Sequence, residues 1–165
     1  MPVRPLVLYP DPRLRLAAPP VAAFDAALRT IADDLLDTLR AVSALGLTGP
    51  HIGVPVRLTV IRAGLELTPR TYVNPELVWA SPETARHREG SVSMPGVDEE
   101  IERPARVRVR WRDLDGTAHE VEEEGFAAAC LQHEIDQLDG LFWIERLSRL
   151  KRERVLKRYA KLHRG

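Results

Sequence analysis

Residues 125–138 run GFAAACLQHEIDQL. Phe126, Ala129, Cys130, Ile135 and Leu138 mark one apolar side, and Gly140 is a natural stop, so a compact helix is expected over 125–138. Inside it stands Gln132-His133-Glu134-Ile135-Asp136-Gln137. In the pattern H-E-x-x-H, a helix presents two histidines one turn apart on one face, ready to bind a metal, with the glutamate beside them as general base. Here the fifth position is Gln137, and H-E-x-x-Q taken alone is more often ordinary helix packing with a surface carboxylate.

Working outward, the stretch ARVRVRWRD before this helix alternates strictly. Val107, Val109 and Trp111 face one way, and Arg106, Arg108, Arg110 and Arg112 face the other. Asp115-Gly116 turns the chain into TAHEVEEE, so a hairpin is expected with arginines opposite acids. Residues 83–104 are polar and turn-rich around a short central segment. TYVNPELVWA reads as an extended segment broken at Pro75, and VRLTVIRAG as a half-buried strand through Val56, Leu58 and Val60. LGLTGPHIGVP, with its glycines and prolines, reads as a loop. Residues 25–42 show helical spacing through Leu28, Ile31, Leu35, Leu39 and Val42. The Pro- and Arg-rich residues 1–20 form a loop with a short turn. The end of the chain, about 146–163, reads as a basic amphipathic helix docking through Leu147, Leu150, Val155 and Leu162.

The length of 165 residues suits one domain, 1–165, with a core of useful size. The 24 basic and 24 acidic side chains cancel, so net charge gives no argument for bulk polyanion binding. No apolar run approaches the ~20 residues of a membrane span. The opening MPVRPLVLYPDPRLR lacks the pattern of a secretory signal, and a cytoplasmic protein is expected. A single cysteine, Cys130, excludes an internal disulfide framework and any zinc site with two cysteines from one chain.

Three stretches occur in a fixed order: Leu45-Gly46-Leu47-Thr48-Gly49-Pro50-His51, then Glu89-Gly90-Ser91-Val92-Ser93, then Gln132-His133-Glu134-Ile135-Asp136-Gln137. In this the chain resembles the peptide deformylases, whose site is built from a glycine-rich G-φ-G-φ-A-A-x-Q loop, an E-G-C-φ-S loop and a Q-H-E-x-D-H helix. The likeness extends to YPDPRLR, DDLLDTL, YVNPEL, SMPG, the D-x-D-G hairpin and LSRLKRERV, and so covers essentially the whole chain. It implies an α+β fold in which antiparallel β-sheets wrap a central helix bearing the third motif, with a C-terminal helix.

The resemblance also implies a site, and this chain departs from it. The family holds a ferrous or other divalent ion with the motif-two cysteine and both histidines of motif three. Carried over, those positions are Ser91, His133 and Gln137. The general base is Glu134, the oxyanion glutamine falls on His51, and the backbone donor is Val92, with Gly46 beside them. A thiolate and an imidazole are thus replaced by a neutral hydroxyl and a hard, weak amide oxygen, so no tightly bound cofactor is expected. Any ion would be a divalent Fe, Zn or Ni at a weakened site. Cys130, three residues before His133, reads as a buried small hydrophobe. The S1′ pocket falls on Leu45, Gly46, Glu89, Gly90, Phe126, Ala129 and Cys130. Asp136 reads as a structural acceptor.

The expected function is that of a deformylase-like protein without normal metal-dependent removal of the formyl group from N-formylmethionyl peptides, still able to bind peptides or the ribosome. The alternative is an active metal-dependent hydrolase with a site rebuilt from His51, His133 and Glu134. A serine nucleophile at Ser91, with His51 or His133 as base, is a further chemistry that the side-chain types permit. From Arg146 on there are nine Lys or Arg residues and one acid, Glu153. The family's basic C-terminal helix is associated with the ribosome, which makes Arg149, Lys151, Arg152, Arg154, Lys157 and Arg158 candidate phosphate contacts. A solubilising tail is the competing reading. Nascent N-formylmethionyl peptides and the ribosome are the expected partners of a monomer that does not engage membranes.

Overall fold

The computed structural model describes residues 3–63 and 68–164. Gly64, the last residue of the stretch VRLTVIRAG, lies outside the described residues, as do the first two residues and the last.

Helix α1 spans Ala26–Ala41, and the Asp25 carboxylate caps it by accepting from the Leu28 amide. Leu28, Leu35 and Leu39 are buried on the stripe the spacing predicts, joined by Ala32, whereas Ile31 is half-buried and Val42, at the cap past the last turn, is exposed. The stretch read as a loop is more ordered than its glycines suggest. Gly46–Thr48 form a short strand, β1, and Gly49–Ile52 a 3-10 turn. Two physical reasons account for this. Strand β2, Leu58–Ile61, pairs antiparallel with β1, and Pro50 sits in the first turn, where no amide hydrogen is needed. Strand β2 is also buried on both faces rather than one. Leu58 and Val60 join the α1 core, while Ile61 packs with Ala128, Leu131 and Ile135 on the other side.

Strand β3 runs unbroken over Arg70–Ala80, straight through Pro75. Its register against β6 (Arg106–Arg112) shifts between Val73 and Glu76, so Asn74-Pro75 is accommodated as a bulge and not as a break. Asn74 adopts φ 52°, and its side chain pins the loop at Val21 through 2.7 Å and 2.9 Å hydrogen bonds. Residues 83–104 form a long antiparallel pair, β4 (Thr84–Ser91) and β5 (Met94–Pro104). Polar side chains on both faces of β4 hide it from a hydrophobic pattern. Strand β6 pairs with β7 (Ala118–Glu124), with Arg106, Arg108 and Arg110 opposite Glu124, Glu122 and Glu120 as the alternation predicts. The larger sheet is ordered β1-β2-β3-β6-β7.

Helix α2, Gly125–Leu138, has the bounds read from the sequence and lies against both sheets. Its Ala128, Leu131 and Ile135 meet Ile61, Tyr72, Val107, Val109 and Trp111. Phe126 departs from the expected apolar side and stays 43% exposed. After the helix, Gly140 takes φ 81°, and an added Cβ would stand 2.7 Å from the Arg15 carbonyl oxygen, so the stop also lets the N-terminal segment close in.

Helix α3, Arg149–Leu162, is capped by Ser148. Leu147 and Val155 dock as expected, but Leu150 and Leu162 stay exposed. Leu156 and Tyr159 take their place, packing on the cluster of Met94, Val97, Ile101, Phe142 and Trp143. Among the described residues, no helix is long and apolar enough to cross a membrane.

Candidate functional site

Strand β1, the β4–β5 pair and α2 enclose a cavity of about 420 Å³. Twelve of the sequence-predicted residues line it: Leu45, Gly46, His51, Glu89, Gly90, Ser91, Val92, Phe126, Ala129, Cys130, His133 and Glu134. Arg88, Val97 and Asp98 join them, with Arg88 and Asp98 ion-paired at the rim. Gln137 does not line the cavity. It is buried, and its Nε2 donates to the Leu14 carbonyl oxygen at 2.7 Å, fastening the N-terminal turn at Pro12–Arg15 to α2.

His133 is held from behind. Its Nδ1 lies 2.8 Å from Glu89 Oε1, and Glu89 receives two further bonds from Arg103, Nε at 2.6 Å and Nη2 at 3.0 Å. Burial alone would raise the Glu89 carboxyl, but the bonds from His133 and Arg103 outweigh it and bring it down to about 2. Glu89 is therefore an ionised acceptor, and His133 Nδ1 donates to it. Arg103 also binds Asp136 at 2.8 Å, and Arg146 grips the same carboxylate. Asp136 is thus a structural acceptor, as its helical position predicts. Burial works against the charged form of His133, yet the Glu89 bond and the Glu134 charge raise its affinity for a proton overall.

His51 is fixed by Thr48 of the first motif. The Thr48 amide donates to His51 Nδ1 at 3.0 Å, and the Thr48 hydroxyl lies 2.9 Å from the same nitrogen. Complete burial, aided by the His133 charge, lowers the ring to about 3, so it is neutral. With Nδ1 accepting, the ring proton sits on Nε2, which is buried and finds no hydrogen-bond partner among the described residues.

Glu134 lies between the two rings, with Oε1 3.9 Å from His133 Nε2 and Oε2 4.0 Å from His51 Nδ1. Both separations exceed hydrogen-bond length, and Oε2 is buried with no hydrogen-bond partner among the described residues. Desolvation raises its carboxyl to about 7, with Glu89 adding to the rise and His133 and Arg103 opposing it. Gly46 gives it room, since a Cβ there would come within 2.8 Å of Glu134 Oε1. Ser91 Oγ accepts from the Ser93 amide at 3.1 Å. Cys130 is only partly buried, and desolvation, with Glu134 and Glu89, pushes its thiol up to about 12, so it remains protonated.

Thr48, Arg103 and Leu14 were not singled out as site residues. Thr48 acts through its backbone amide and hydroxyl on His51 three positions on, whereas Arg103 and Leu14 meet partners 14 and 123 positions away.

A family profile described as polypeptide deformylase matches residues 3–153. A protein of Bradyrhizobium diazoefficiens named peptide deformylase-like is 59% identical over 100% of this chain and 97% of its own. One of the same name from Brucella melitensis is 58% identical over 99% of this chain and 100% of its own. Among solved structures, peptide deformylase from Ehrlichia chaffeensis in complex with actinonin superposes with TM-score 0.92 at 34% identity, covering 100% of both chains. The chain belongs to the peptide deformylase family, and its fold is the family's α+β fold.

That family implies a divalent ion, and the residues present do not fit one. At the three ligand positions, Ser91 offers a neutral hydroxyl, Gln137 points away into the Leu14 contact, and only His133 Nε2 faces the cavity as a strong donor. His51 does not rebuild the set, because Nδ1 is engaged by Thr48 and Nε2 carries the ring proton. Among the described residues, no three of His, Cys, Asp and Glu converge with ligand geometry.

Proposed function

We propose that this member of the deformylase family uses its cavity to hold the amino-terminal residue of a peptide and does not carry out metal-dependent removal of a formyl group. The observation that carries the reading is the engagement of Gln137, whose Nε2 donates to the Leu14 carbonyl oxygen and which does not line the cavity. With Ser91 neutral, two of three strong ligands are missing, and structural zinc peptides draw roughly 10–16 kcal/mol from a full set of four. What persists is a walled cavity with apolar sides at Leu45, Val97, Phe126 and Ala129.

Elemental analysis of the purified chain should find well under one equivalent of transition metal. N-formyl-Met-Ala-Ser should release no formate above buffer with added Fe, Ni, Co or Zn. A full equivalent of bound metal with brisk formate release overturns the reading. The triple variant Ser91→Cys, Gln137→His, His51→Gln is expected to gain stoichiometric metal, because Glu134, Glu89 and Gly46 already stand in place.

A further inference from the structure

We infer that helix α3 clamps the β5 wall of the cavity and that phosphate oxyanions release the clamp, Arg158 being the contact that wall and anion share. The device concerns how the wall is held and stands whatever the cavity takes up.

The wall is weakly tied to its own sheet. Glu89 pairs with Glu99 and Ser91 with Met94, so one β4 residue, Gly90, stands opposite the four β5 residues 95–98. Such a bulge forgoes ladder hydrogen bonds, and two of its residues, Val97 and Asp98, line the cavity. Among the described residues β5 pairs with β4 alone, so its other edge needs donors from elsewhere. Helix α3 supplies them. His163 Nε2 donates to the Pro95 carbonyl oxygen at 3.1 Å, Arg158 Nη2 to that of Asp98 at 2.9 Å and Lys151 Nζ to that of Glu100 at 3.1 Å. Leu162 lies over Gly96, where an added Cβ would stand 3.1 Å from its Cδ1. The bulged wall is therefore held from outside by one helix.

The same helix borders an open depression of about 460 Å³, lined by Glu99, Arg154, Lys157 and Arg158. Three cations stand there against one carboxylate, and the Arg158 side chain is 48% exposed. Its guanidinium is divided between the Asp98 carbonyl oxygen, a neutral acceptor, and Glu99 Oε2 at 3.3 Å. A phosphate oxyanion is a stronger, bidentate acceptor for a guanidinium. Arg158 turning outward to such an anion leaves the Asp98 carbonyl without that donor, at the residue whose side chain pairs with Arg88 on the cavity rim. Anion binding and a tight wall then oppose each other, and the coupling is reciprocal.

The test is deuterium exchange of the full chain, read by mass spectrometry, with saturating tripolyphosphate and, in a parallel arm, an oligouridylate. Exchange across residues 94–100 should rise at least about threefold, the yield of one lost hydrogen bond, while the β6–β7 hairpin, residues 106–124, stays unchanged as internal reference. Arg158→Gln should show the faster exchange across 94–100 without any anion, and no further response to one. A response to either probe supports the clamp, tripolyphosphate alone pointing to a terminal phosphate and the oligouridylate to a phosphodiester backbone. Response to neither, a rise shared equally by residues 106–124, or a wild-type response in Arg158→Gln overturns it. The wild-type arms need no variant, so the outcome is decided even where Arg158→Gln does not fold.

Discussion

Gly46 has room for a hydrogen and little else, because the Glu134 side chain fills the space where a Cβ would go. Gly46→Ala should fold, at a cost of about 1 kcal/mol, since the atom displaced is the end of a side chain. It should nonetheless weaken peptide binding by tenfold or more, and thermal melts beside titrations would separate the two effects. Glu134 carries a pH signature. Its folded carboxyl, raised to about 7, binds a proton more tightly than the ordinary carboxyl of the unfolded chain, at 4.5. Stability from this group is therefore fully present below pH 4.5 and declines as pH rises toward 7. Glu134→Gln should be neutral at pH 4 and stabilising at pH 8 by on the order of 3 kcal/mol, each unit being worth about 1.4 kcal/mol. Denaturant unfolding at the two pH values reads it directly. Gln137→Leu strands the Leu14 acceptor and should cost about 1–3 kcal/mol in the same experiment.

Strands β6 and β7 present the opposite case, where charge is abundant and weak. Arg106 and Arg108 lie 3.9 Å and 3.7 Å from Glu122, with all three side chains nearly half exposed. Glu122→Gln should shift stability by less than about 1 kcal/mol, and salt should shrink the difference further. This ladder was legible in the sequence because alternation is a local signal, as were α1 and α2 through their apolar stripes. The β4–β5 pair was not. Its β4 side chains are polar on both faces, and its inward β5 positions include Arg103, whose burial makes sense only once Glu89 and Asp136 surround it. The site divides along the same line. Residues within the three motifs could be named because each motif is contiguous. The tautomer of His51 and the direction of Gln137 follow from a backbone amide and a carbonyl, which no side-chain pattern encodes.

Across the molecule, α3 is less free than its composition suggests. Lys151 donates to the Glu100 carbonyl, Arg152 to Ile144 and Leu147, and Arg158 to Asp98 and Glu99, so half of the six candidate phosphate contacts are turned onto the body. Arg149, Arg154 and Lys157 are exposed, though Arg149 and Arg154 have acidic neighbours of their own in Glu153 and Glu99. We propose that this helix engages ribosomal phosphates through its outward cations, and Arg154→Glu with Lys157→Glu should then lower co-sedimentation with ribosomes at low salt. Equal pelleting of wild type and variant counts against it. Removing the helix is a poorer probe, because Val155 is fully buried and Tyr159 packs edge-on against Tyr9. The bond from Gln137 to Leu14 also sets the order in which a metal site could be engineered here: Gln137→His on its own severs a tether before a complete set of ligands exists to offset the loss, so the ligand at position 91 has to be installed first.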